Sequence, residues 1–204
     1  MIPWDTIDRA QAVIFDCDGT LVDSMPVHYL AWHRTMTDVG ITFAEDRFYA
    51  LGGMPTHRII EMLAHEQNIL VDPHATAQRK EEAFLELIHL LEPIHIVLEV
   101  AERLRGVKPI GVASGGFRDV IQRQLRQIGI EDWFDTLVTA EDTVKHKPEP
   151  DVFLETARRL GVEPERCLVF EDAELGIEAA RRAGMQCIDV RDHFQSKRIP
   201  IPHS

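Results

Sequence analysis

The chain has 204 residues, of which 45% are hydrophobic, and 22 basic against 34 acidic side chains give a formal charge of −12. That length supports one large or two small domains with a substantial core. The acidic balance disfavours nucleic acid or an anionic membrane surface as the main partner. No run of about 18 apolar residues marks a membrane span, and Met1 to Ala10 lack a basic-then-apolar leader, so the cytoplasm is the expected location. Cys17, Cys167 and Cys187 lie within or beside apolar strand patterns without metal-ligand spacing and read as reduced packing residues.

In chain order, Ala12-Val13-Ile14-Phe15 is a continuous apolar run, as expected of a parallel strand covered on both faces. It ends in Asp16-Cys17-Asp18-Gly19-Thr20, a turn signal carrying two acids two residues apart. In open α/β sheets ligands bind at the carboxyl ends of strands. One such carboxylate can attack an electrophile or hold a hard cation, and a crowded neighbour can give and take a proton. Two solvated acids in an Asx turn are the competing reading. Strand alternation points Cys17 away from the two acids.

A long insertion, roughly Met25 to His95, follows with helical periodicity. Met25 to Val39, Thr56 to Glu66 and Asp72 to Leu91 carry apolar residues at three and four spacing, punctuated by Gly40 and Pro73. Its Trp32, Phe43, Phe48, Phe84 and many leucines suffice for a small bundle. From Ile96 strand and helix alternate, with strands expected at Pro109 to Ala113, Leu137 to Val138, Cys167 to Phe170 and Gln186 to Val190. Three of the segments in this half carry chemistry. Ser114-Gly115-Gly116 ends one strand ahead of a helical pattern, an arrangement suited to an anion. Lys145-His146-Lys147-Pro148 sets a lysine directly before proline ahead of a new helix. Glu171-Asp172 repeats the opening device, an apolar strand ended by two acids. Arg191 to Ser204 reads as a short polar tail.

This order of acid pair, Ser-Gly, Lys-Pro and acid pair, each at a strand end between about Ala12 and Val190, resembles the four motifs of the haloacid dehalogenase superfamily. The Asp-x-Asp opening is similar to its phosphoryl-transfer branch, because dehalogenases of the fold lack the second acid. The resemblance implies a doubly wound, Rossmann-like α/β core of residues 1–24 and 96–204 with a parallel sheet, and an inserted α-helical cap domain of residues 25–95 that closes over the strand ends. It implies that Asp16 attacks phosphorus to form an aspartyl phosphate, and that Asp18 protonates the leaving oxygen and then activates water. It also implies a magnesium site of Asp16, Asp18 through its carbonyl, Glu171 and Asp172, with the phosphate held by Ser114, Gly115 and Lys147. Lys145 is the rival to Lys147.

Within the insertion, His28 ahead of Trp32, the loop from Leu51 to Arg58 and the pair Arg79-Lys80 resemble the beta-phosphoglucomutase-like subfamily and its fructose-1-phosphate phosphatase relatives. The resemblance implies substrate contacts from His28, Gly53, Arg58 and Lys80. Competing readings are a packing or capping His28 and a solvated helix face for Arg79 and Lys80. The mutase places an arginine about where Thr56 stands here, and a mutase must grip a second phosphate. The expected activity is therefore hydrolysis of a small phosphorylated sugar similar to fructose 1-phosphate, with the mutase second. A non-catalytic phosphate-binding module is the reading from another class, and it would be expected to have lost one of these carboxylates or the lysine.

Overall fold

The computed structural model describes residues 2–52 and 54–199. In chain order the elements are α1 (Trp4–Arg9), β1 (Ala12–Phe15), β2 (Val22–Asp23), α2 (Met25–Asp38), α3 (Glu45–Ala50), α4 (Thr56–Gln67), α5 (Pro73–Glu86), β3 (Glu92–Pro93), α6 (His95–Leu104), β4 (Ile110–Ala113), α7 (Arg118–Gln127), β5 (Thr136–Val138), α8 (Asp151–Leu160), β6 (Cys167–Glu171), α9 (Glu174–Arg182) and β7 (Gln186–Asp189). They form two compact units. One comprises the described residues up to Asp23 with Glu92–Ser196, and the other Ser24–Leu91 with Lys197 to Ile199. No helix among the described residues is long and apolar enough to cross a membrane.

The first unit is built on a five-stranded sheet in the order β5-β4-β1-β6-β7, with every neighbouring pair parallel. β1 lies at its centre, Ile14 opposite Gly111 on one side and Val169 on the other. Every residue of β1, β4 and β6 is buried, which is why these strands read as apolar runs rather than alternating, the one exception being Glu171 at the end of β6. Val152, Phe153 and Ala157 of α8 and Ala179 and Ala180 of α9 complete one core with Ile14 and Val169. The chain leaves and re-enters the unit through a two-stranded antiparallel ladder that pairs Val22 with Pro93 and Asp23 with Glu92.

The second unit is helical. Tyr29, Trp32 and Met36 from α2, Phe48 from α3 and Ile59, Ile60 and Leu63 from α4 share its core with Ile41 and Phe43. The rings pack edge to face, Trp32 on Phe43 at 5.2 Å and Phe43 on Phe48 at 6.2 Å. Helix α5 starts at a side-chain cap, Asp72 accepting from the amides of His74 and Ala75 at 2.9 and 3.1 Å. Within the segment read from sequence as a polar tail, the described part is held at Arg198, which pairs with Asp46 at 2.8 Å and lies over the Tyr49 ring.

Candidate active site

The ladder between β1 and β6 runs one residue past the strand, with the Asp16 amide donating to the Phe170 carbonyl at 3.0 Å. The Asp16 carboxylate therefore stands on the last rung of the central strand. Behind it the chain folds back sharply, Leu21 and Val22 donating to the Cys17 carbonyl and Gly19 to Val22. Gly19 takes φ +78, and a Cβ there would lie 2.2 Å from the Asp172 carboxylate, so glycine meets both a backbone and a space requirement. The next strand ends in the same way, with the Ser114 amide donating to Val138 at 3.0 Å.

Three acids converge at the carboxyl ends of β1 and β6. One oxygen each of Asp16, Glu171 and Asp172 fall within 4.8 Å of one another. Lys147 joins them from the loop before α8, its Nζ 2.6 Å from Asp16 Oδ1, 2.6 Å from Glu171 Oε2 and 3.4 Å from the Ala113 carbonyl. The Lys147–Pro148 peptide is cis. Lys145 is exposed, so of the two lysines only Lys147 reaches the carboxylates. Glu171 also accepts from the amides of Asp172 and Ala173 at 3.3 and 3.0 Å, and Thr20 donates to Asp172 at 3.2 Å.

The charge balance of this cluster is unfavourable as it stands. Burial, then the neighbouring Glu171 carboxylate, holds Asp16 well above the usual carboxylate range, and Lys147 only partly opposes this. Burial and Glu171 likewise push Asp172 up to about 7. Burial would lower Lys147, but Asp16 and Glu171 overcome it and fix the ammonium in its charged form. Three carboxylates against one ammonium, all oxygen donors and all close, form a set that fits a hard divalent cation.

Asp18 is half-buried, and the Gln124 side-chain amide of α7 donates to its Oδ1 at 3.0 Å. Ser114 is buried, its Oγ accepting from the Gly116 amide at 3.1 Å, while the Cβ direction at Gly115 is open. Asp16, Asp18, Ser114, Gly115, Lys147, Glu171 and Asp172 thus all belong to the sheet unit, clustered where its strands end. Cys17 is fully buried, and burial pushes its thiol up, a packing environment.

The helical unit brings two of its four sequence candidates together. Lys80 is 3% exposed, with Nζ 2.9 Å from His28 Nδ1 and 3.1 Å from Glu81 Oε1, and it lies over the Trp32 and Phe84 rings. His28 stacks on Phe84 at 3.8 Å between ring centres. Arg58 is exposed on α4 and pairs with Glu61 of its own helix at 3.0 Å. Gly53 lies outside the described residues. Thr56, at the mutase arginine position, donates to Glu81 at 3.4 Å. Glu81 did not stand out in sequence, since an acid beside a lysine is ordinary, and Phe84 was read only as a bundle aromatic; their contacts with Lys80 and His28 come from packing between α2 and α5.

Residues 10–184 match a family model described as haloacid dehalogenase-like hydrolase. The fructose-1-phosphate phosphatase YqaB of Escherichia coli strain K12 is 39% identical over 185 residues, covering 90% of this chain and 98% of that protein. The beta-phosphoglucomutase of Bacillus subtilis strain 168 is 32% identical over 189 residues, covering 88% and 83% respectively. Among solved structures, beta-phosphoglucomutase from Clostridium difficile superposes with a TM-score of 0.77 at 26% identity, covering 88% of this chain and 84% of that one. With its acids and lysine at the ends of a doubly wound sheet, this chain belongs to the haloacid dehalogenase-like hydrolase family.

Proposed function

We propose that the protein is a magnesium-dependent phosphatase of small phosphorylated sugars, of the fructose 1-phosphate kind, that works through an aspartyl phosphate on Asp16. The observation that carries the reading is the Asp16 carboxylate on the final rung of the central strand, ion-paired to Lys147, grouped with Glu171 and Asp172, and followed two residues later by Asp18. The relative named a fructose-1-phosphate phosphatase, similar over 98% of its own length, supports the substrate class.

Asp16, Glu171 and Asp172 would hold the metal, with the Asp18 carbonyl as a further oxygen. When bound, magnesium supplies positive charge to offset the negative charge of the phosphoryl group and of these acids. Lys147 neutralises one phosphoryl oxygen while keeping Asp16 aligned for in-line attack, and the Ser114 hydroxyl and the Gly115 amide donate to the remaining oxygens. The Asp16 oxygen bonds to phosphorus as the ester bond breaks, and Asp18 delivers its proton to the departing sugar oxygen. Water then attacks the aspartyl phosphate, gives its proton to Asp18 and restores both acids. In the helical unit, Lys80 and His28 are proposed to bind the sugar hydroxyls.

The mutase is the second reading, favoured by the Bacillus subtilis relative. It needs a second phosphate grip, and Thr56 with its Glu81 partner offers none. The test is a panel of hexose monophosphates assayed in magnesium for phosphate release, with and without a hexose bisphosphate primer. Continuous release without primer supports the phosphatase. Negligible release together with primed conversion of beta-glucose 1-phosphate to glucose 6-phosphate would replace it with the mutase.

A further inference from the structure

One buried polar side chain touches the reacting groups without belonging to any motif. Gln124 lies in the middle of α7, where its neighbours Ile121 and Leu125 face the core, and it is itself 0% exposed. A glutamine there forgoes the favourable burial of a leucine and must be hydrogen-bonded to be tolerated. Its Nε2 donates to Asp18 Oδ1 at 3.0 Å across 106 residues of sequence, and its Oε1 is buried with no hydrogen-bond partner among the described residues.

We propose that Gln124 is a positioning residue for Asp18, holding that carboxyl group in line with the ester oxygen through both half-reactions. The inference rests on the phosphatase reading and adds to it a residue from outside the motifs. A primary amide suits the task because it carries a donor and an acceptor on one planar group. Nε2–H donates to Asp18 once its proton has passed to the leaving oxygen and the carboxylate remains. The buried amide thereby fixes the orientation of the Asp18 side chain from a helix outside the motifs.

The experiment uses Gln124→Met, an unbranched apolar side chain of similar length, and Gln124→Leu as a second apolar filling, with thermal melts to verify folding. kcat/KM is measured for a series running from alkyl and sugar phosphates, whose alkoxide leaving groups need a proton, to 4-nitrophenyl phosphate, whose phenolate does not. Both variants should lose about 10- to 100-fold on the alkyl and sugar esters, the scale of a misaligned acid, and stay within about threefold of wild type on the aryl ester. KM for the sugar ester should change little, placing the loss in kcat. In an Asp18→Asn background, Gln124→Met should add nothing further, because the two act as one unit. An equal loss on all esters, no loss on the alkyl esters, or an additive effect in the Asp18→Asn background would overturn the proposal. Failure of the wild type to hydrolyse any ester would instead remove the phosphatase reading and Gln124's role with it.

Discussion

Asp16 is the proposed nucleophile because, of the three clustered acids, it alone follows the central strand and is held by no backbone amide or hydroxyl of the described residues through its carboxylate, whereas Glu171 accepts from backbone amides and Asp172 from Thr20. Asp16→Asn should therefore reduce turnover by several orders of magnitude with the fold intact, and a folded variant keeping more than about a tenth of the activity would disprove the assignment. Asp172→Asn should weaken magnesium binding, whereas Lys147→Ala should leave magnesium bound and weaken a phosphate analogue. Calorimetric titration of both variants separates the two roles. A subtler probe is Gly176 in the first turn of α9, where an added Cβ would lie 2.1 Å from Glu171 Cδ. Gly176→Ala must displace Glu171 from Lys147, so it should impair activity more than stability, read as kcat/KM against melting temperature. The acids and the lysine could be found in sequence because each sits directly after an apolar strand or before a proline. Gln124 could not, because its place on the Ile121–Leu125 stripe marks it for burial but its partner Asp18 is 106 residues away and is brought to it only by tertiary packing.

At the scale of elements, the central strands β4, β1 and β6 were legible as apolar runs up to the acid that ends β6, since both faces of the sheet are covered there. The β2–β3 ladder was not, because two residues carry no periodicity and its partners are far apart in sequence. Helix α3 also escaped, as six residues give less than two turns of pattern. The turn after β5, Ala140 to Asp142, shows how a short element is held by charge. Partial burial works against the Asp142 carboxylate, but hydrogen bonds from Arg159 and Thr139 and the nearby Arg118 hold it down at about 2. A folded value below the unfolded one means that this stabilisation is complete above the ordinary carboxylate range and is lost as pH falls towards about 2. Asp142→Asn should accordingly lower the urea midpoint at pH 6, and the gap to wild type should narrow steadily below pH 4. A gap independent of pH would show that the ion pairs contribute nothing.

For the whole molecule, the two units divide the proposed labour, phosphoryl chemistry in the sheet unit and sugar recognition in the helical one. Truncating Lys80 to Ala should raise KM for a sugar phosphate by about 10- to 100-fold, the worth of one charged hydrogen bond. A small aryl phosphate should be nearly unaffected, and an equal rise for both would remove Lys80 from sugar recognition. The helical character of the insertion was readable from its three-and-four spacing, but its union with the chain's last described residues was not, because Arg198 finds Asp46 only in three dimensions. The central place of β1 also governs how the protein is made. Ile14 leaves the ribosome long before its ladder partners Gly111 and Val169 are translated. Between these events the whole of Ser24–Leu91 is synthesised with its aromatic core complete. On a nascent chain the inserted unit should therefore fold first, while the strand that leads into Asp16 waits, exposed and apolar, for its neighbours. Chains stalled before Cys167 should accordingly protect Trp32 and Phe84 from protease while Ala12–Phe15 is still cut.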